Sequence, residues 1–265
     1  MKVVIENAAS RRCEQSRALH TKLAKPSPRG GGGGATLVGC AALAMKRLLS
    51  TAFRFSALLA LLGMGAMGAA QAQSAPGAFD FYLLTLSWSP GFCDTGGAAK
   101  APDQCAIGSG QGFVVHGLWP QYQHGYPSDC DASPRWVSSA ALALTHGVFP
   151  DEGLARYEYR KHGSCSGLAP QEFFAAVRQA RDAIIVPENL KAPHAQLTLA
   201  PNEIVDAFIA ANNNLHADNI AVGCSHGELE DVRICISKDL SAYASCAEVA
   251  RRSCHSRSIN VPPLH

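Results

Sequence analysis

Phe79-Asp80-Phe81-Tyr82-Leu83-Leu84-Thr85-Leu86-Ser87 (FDFYLLTLS) decides the fold class, because so short a run, rich in aromatic and apolar residues, reads as a buried strand. Gly112 to Val115 reads as another strand, so strands come early in the chain. Further on, Phe173, Phe174, Val177, Ala180 and Ile184 recur at helical spacing within Pro170 to Ile185, and Ile204, Val205, Phe208 and Ile209 repeat the pattern within Pro201 to Asn212. Between them Leu197 to Leu199 is a short strand, and Val232 to Ile236 alternates as a strand should. Strands and helices without regular βαβ alternation predict an α+β fold, with a central antiparallel sheet flanked by helices in a single disulfide-stapled domain. Along residues 73–265 there is no internal repeat, and no linker long enough to separate two domains.

Working outward, the 265 residues are 47% hydrophobic and 17% charged, which excludes disordered and collagen-like classes. Charge is unevenly spread. Residues 1–72 hold ten Lys/Arg against two Asp/Glu, whereas residues 73–265 hold thirteen against nineteen, a formal charge of −6. That sign disfavours a basic-patch DNA binder, whose affinity comes mostly from Lys and Arg displacing counterions. The division follows a secretion signal over residues 45–72. Met45, Lys46 and Arg47 form a short positive region, Phe55 to Ala69 is apolar, and Ala70-Gln71-Ala72 has the small-x-small form of a cleavage site. A membrane anchor is the rival reading, but Gly63, Gly65 and Gly68 interrupt the run, which falls short of the roughly 20 residues a spanning helix needs. Residues 1–44 precede this complete signal and read as an extension from a start codon set too early, or as a disordered segment. The expected product is a periplasmic or secreted domain over residues 73–265, with no membrane attachment after cleavage.

Cysteine usage agrees with export. Residues 73–265 contain eight cysteines, at 93, 105, 130, 165, 224, 235, 246 and 254. An even number in an exported chain points to disulfides. Eight cysteines allow about a hundred pairings, so spacing alone selects none. A zinc site would need a CxxC pair or a Cys/His couplet of finger spacing, and neither occurs.

Two segments carry candidate chemistry. In Val114-Val115-His116-Gly117-Leu118-Trp119-Pro120, a strand-like run delivers a histidine at its end, and Gly and Pro then turn the chain. Alone, this reads equally as a strand terminus with a core tryptophan and a surface histidine. In Tyr157-Glu158-Tyr159-Arg160-Lys161-His162-Gly163-Ser164-Cys165, helical spacing would put Glu158, Lys161 and His162 on one face, with Gly163 suiting the helix C-terminus. The bland alternative is a surface helix with an ordinary charge pair.

Taken together, these segments resemble the two active-site signatures of the ribonuclease T2 family, metal-free acid endoribonucleases. HGLWP is present unchanged, and YEYRKHGSC resembles HEWxKHGTC, about 40 residues further on. The resemblance extends over most of residues 79–263 and suggests a bacterial member. It implies bonds Cys130–Cys165, Cys235–Cys246, Cys224–Cys254 and Cys93–Cys105.

It also implies a reaction. Cleaving RNA without metal requires a base for the 2′-hydroxyl proton, an acid for the departing 5′-oxygen, and positive charge near the phosphoryl oxygens. His162 is the implied base and His116 the acid, giving a 2′,3′-cyclic phosphate that water opens to a 3′-phosphate. Lys161 would stabilise the pentacovalent phosphate, and Glu158 would hold Lys161 or His162. Trp119, Gln121 and Tyr126 match the family's base-pocket region, where an aromatic plane stacks on a base and a polar group meets its edge. Because stacking tolerates every base, weak base preference is expected. Tyr157 stands where many members have a phosphate-binding histidine and cannot carry positive charge. The implied partner is RNA, not DNA, which lacks the 2′-hydroxyl; no cofactor or metal is implied, and the expected state is a monomer. Nine histidines in residues 73–265 would carry the charge from −6 to +3 on full protonation, which favours an acid-side optimum in a bell-shaped profile. A secreted, catalytically weak RNA-binding module of the same fold is the alternative. A metal-dependent nuclease would need clustered carboxylates or histidines that the sequence does not offer.

Overall fold

The computed structural model describes residues 75–131 and 136–264; the signal and upstream segments read from sequence lie outside the described residues. Among the described residues, six strands form one sheet: β1 (Phe81–Trp88), β2 (Phe113–Gln121), β3 (Leu197–Leu199), β4 (Ile220–Ser225), β5 (Glu228–Ser237) and β6 (Ile259–Val261). Their order is β2-β1-β5-β6-β3, with β4 also pairing β5. All pairings are antiparallel except the short β5–β6 contact. The helices are α1 (Ser89–Asp94), α2 (Ser139–Ala143), α3 (Glu152–Lys161), α4 (Pro170–Asp182), α5 (Glu188–Lys191), α6 (Pro201–Ala211) and α7 (Ala247–Arg251). This is the α+β architecture that the order of strands and helices predicts.

β1 is buried along its whole length because it lies between β2 and β5 and is covered on both faces. Tyr82, Leu84, Leu86 and Trp88 enter the main core beneath α3, α4 and α6, whose Tyr159, Phe173, Phe174 and Phe208 are fully buried or nearly so. The opposite face places Phe81 and Leu83 against Cys235 and Cys246. A run apolar at every position, without alternation, is the consequence. Helices α4 and α6 each start with proline at the first turn, and Glu172 and Glu203 accept the backbone N–H of Ala169 and Ala200 at 3.0 and 2.6 Å. Between β4 and β5 the chain reverses through His226 and Gly227, both at positive φ (51° and 86°), as a tight two-residue hairpin requires.

Four disulfides staple the domain: Cys93–Cys105, Cys130–Cys165, Cys224–Cys254 and Cys235–Cys246. The second closes a separation of 35 residues, worth roughly 3 to 4 kcal/mol in the chain-entropy model. Among the described residues, no helix is long and apolar enough to cross a membrane.

Candidate active site

The first signature does not end a strand. β2 continues through Trp119 and Pro120 to Gln121, and His116 lies in its middle. The reading of Gly117 and Pro120 as a forced turn is therefore corrected. β2 is an edge strand, where a residue without an N–H is tolerated. The distinctive feature is a β-bulge. Thr85 faces Gly117 and Leu86 faces Val115, leaving His116 as an extra residue without a partner on β1. In a regular strand Val115 and Leu118 would face opposite sides; the extra residue lets both enter the main core. His116 and Trp119 are thereby turned together to the other face, with ring centroids 5.5 Å apart.

The second signature forms the end of α3. Asp151 caps its start by accepting the Leu154 N–H at 2.8 Å, and His162 follows its last turn. Gly163 is not the left-handed helix stop its position suggests. A Cβ there would come within 2.8 Å of both Phe173 and Tyr159, so Gly163 allows close packing, and the left-handed residue is Gly167 at φ 81°.

These elements bring three rings together. The indole of Trp119 lies between the imidazoles, 5.5 Å from His116 and 5.3 Å from His162. Glu158, 1% exposed, accepts the Trp119 Nε1–H at 2.6 Å, and its other oxygen lies 3.6 Å from His116 Nε2. Gly117 makes this possible: a Cβ there would overlap the indole and approach Glu158 Oε2 to 2.6 Å. Glu158 thus holds Trp119 and faces His116, which corrects the expectation that it would hold Lys161 or His162. Lys161 instead pairs with Asp129, Nζ to Oδ2 at 2.7 Å. The residue beside Asp129 is Cys130, whose bond to Cys165 ties this loop to the end of α3.

Burial sets the electrostatics. It pushes the Glu158 carboxyl up to about 7, against the lowering effect of the Trp119 hydrogen bond. Burial also lowers His116, with Asp231 opposing and Arg233 reinforcing the change. His162 is lowered to about 4, by burial first and then by the neighbouring Lys161 ammonium. Its Nδ1 is buried without a hydrogen-bond partner. The hydrogen bond with Lys161 lowers Asp129, and the same contact raises Lys161.

Members of this cluster line two cavities. One, of about 250 Å³, is lined by His162, Trp119, Gln121 and Tyr126. Three of the four expected substrate-binding residues therefore meet there, although the Gln121 amide also donates to Pro120 O at 3.1 Å. Tyr157 does not join them. It lines the second cavity with His116 and Ser87, with the Arg160 guanidinium 5.5 Å over its ring.

The sequence reading did not single out Ser87, Asp129, Asp231 or Arg233. Ser87 Oγ lies 3.2 Å from His116 Nδ1, yet Ser87 reads only as the end of a strand. Asp129 had a signal in its adjacency to Cys130. Among the described residues, no group of three or more His, Cys, Asp or Glu is placed to hold a metal ion.

With this geometry in place, comparison with known proteins assigns the class. The model of the ribonuclease T2 family matches residues 79–246, and the chain belongs to that family. A ribonuclease of Aeromonas hydrophila is 42% identical over 117 residues, which are 43% of this chain and 52% of that one. The chain therefore spans about half the length of that relative. Ribonuclease DdI of Dictyostelium discoideum is 27% identical over 72% of this chain and 87% of its own. Among solved structures, a variant of RNase MC1 in complex with 5′-UMP superimposes with a TM-score of 0.54 at 21% identity, covering 68% of this chain and 97% of the other, a likeness of fold.

Proposed function

We propose that the chain is an exported bacterial endoribonuclease that cleaves single-stranded RNA by transphosphorylation without a metal ion. Export follows from the signal over residues 45–72 and the eight cysteines of residues 73–265, which form the catalytic domain and act as a monomer. The observation that carries the reading is the packing of His116 and His162 against one indole, with the Lys161 ammonium next to His162 in the chain.

His162, held neutral by burial and by Lys161, takes the 2′-hydroxyl proton. The oxygen attacks phosphorus, and the 5′-oxygen leaves with a proton from His116. A 2′,3′-cyclic phosphate results, and water opens it to the 3′-phosphate with the roles exchanged. Glu158 supports the acid: its buried carboxyl keeps a proton up to about pH 7 and lies 3.6 Å from His116 Nε2, to which it can pass that proton. Lys161, released from Asp129 or shared with it, meets the charge that develops on the phosphoryl oxygens. Trp119, Tyr126 and Gln121 receive a base, and Tyr157 donates a hydrogen bond beside His116 without contributing charge.

The test is cleavage of RNA by the purified oxidised protein in excess EDTA, with product ends analysed. Cyclic phosphates appearing at undiminished rate support the reading. Activity abolished by chelator, or retained in full by His116→Ala or His162→Ala, would refute it.

A further inference from the structure

Arg233 was not among the residues that sequence or family signatures singled out, yet it stands at the inner wall of the cavity beside His162. On β5 it lies opposite Thr85 of β1, which in turn faces Gly117 of β2, so it shares the sheet face of the site. Its Nη2 donates to Asp231 Oδ2 at 2.8 Å. Asp231 is itself buried, and a Cβ on Gly223 of β4 would come within 2.8 Å of its Cγ, so only glycine admits the carboxylate. A guanidinium gripped this way loses little freedom on meeting a ligand. Its Nε is buried with no partner, and the side chain is only 30% exposed.

The rest of the wall indicates the occupant. Phe81, Leu83 and Val249 are apolar, and Trp119 and Tyr126 present ring surfaces. Such walls suit a planar base better than a hydrated phosphate. Arg252, the other guanidinium lining the cavity, is 67% exposed and paired with Glu248 at the surface, whereas Arg233 is held inside by the buried Asp231. If His162 takes the 2′-hydroxyl proton, the cavity next to it receives the base of the nucleotide carrying that hydroxyl. A fork of N–H donors meets guanine at two neighbouring acceptors, O6 and N7, whereas adenine sets an amino group beside N7.

We propose that Arg233 is a specificity-determining residue of this base pocket and favours guanine on the 5′ side of the scissile bond. This rests on the placement of His162 as the base and replaces the weak preference that stacking alone predicts. Calorimetric binding of 3′-GMP and 3′-AMP to the oxidised protein tests it without turnover. The wild-type protein should bind 3′-GMP about 10-fold tighter than 3′-AMP, the size of discrimination a bidentate pair gives. Arg233→Met should erase that difference through the 3′-GMP affinity, leaving 3′-AMP within about 2-fold, and Arg233→Lys, which keeps charge but not the fork, should lose most of it. Equal wild-type affinities, or equal losses for both nucleotides in Arg233→Met, would overturn the assignment. Guanine preference in a protein that cleaves no RNA would support the role of Arg233 and overturn the cleavage reading alone.

Discussion

The two histidines reach one indole from opposite kinds of scaffold. His116 rides on a strand, made prominent by a bulge, with Ser87 at one ring nitrogen and a buried carboxylate 3.6 Å from the other. His162 follows the last turn of α3, beside an ammonium, with Nδ1 buried and unpartnered. Burial lowers both imidazoles, but His116 has a carboxyl 3.6 Å away that keeps its proton to about pH 7, whereas His162 has an ammonium as its neighbour, so identical side chains stand in unlike surroundings.

The largest expected effect separates the roles directly. His116→Ala and His162→Ala should each lower kcat on RNA by about 10³-fold, within the range general acids and bases contribute. A substrate whose leaving group is 4-nitrophenolate needs no protonation, so kinetics on a nucleoside 3′-(4-nitrophenyl phosphate) should rescue His116→Ala and not His162→Ala. Rescue of the reverse variant would exchange the assignments.

The second test removes the tie between the regions. Cys130→Ala with Cys165→Ala should lower unfolding free energy by roughly 3 to 4 kcal/mol, read from denaturant midpoints. The loop carrying Asp129 would be freed, so kcat should fall further than for a comparable loss at Cys224–Cys254, a bond of similar separation whose cysteines line neither cavity.

A third test concerns the shared proton. Activity should rise through about pH 4, as His162 becomes neutral, and fall near pH 7, as Glu158 beside His116 loses its proton. Glu158→Gln leaves an acceptor for Trp119 but removes the titrating carboxyl. Because burial lowers His116 itself, the alkaline limb of kcat/KM should then move to lower pH, with about a 10-fold loss at pH 6.5. A limb that stays at about 7 would separate Glu158 from the acid.

How much of this was legible follows the same division. The apolar run of β1 and the 3.6-residue spacing in α4 and α6 report burial, and burial is written directly in side-chain type. β4 escaped notice because Ile220 to Ser225 is short, contains Gly223 and lacks alternation. The helical spacing of Glu158 and His162 was readable, but their partners were not: Glu158 turned to Trp119, 39 residues earlier, because a bulge and Gly117 opened the way. A bulge has no period to detect. Asp231 and Arg233 alternate on β5 as any strand would, and only the sheet order places them beneath the site.

The smallest expected effect examines what the strand scaffold adds to His116 beyond carrying it. Ser87 Oγ, buried at the end of β1, meets His116 Nδ1 and leaves Nε2 toward Glu158. If the hydroxyl fixes the ring, Ser87→Ala should cost about one ordinary hydrogen bond, near 1 kcal/mol or about 5-fold in kcat, with KM little changed. The loss should vanish on the nitrophenyl substrate, which needs no acid, and Ser87→Thr should restore most of it on RNA. A loss equal on both substrates would mean that Ser87 supports the sheet and not the imidazole, leaving the bulge alone to aim His116.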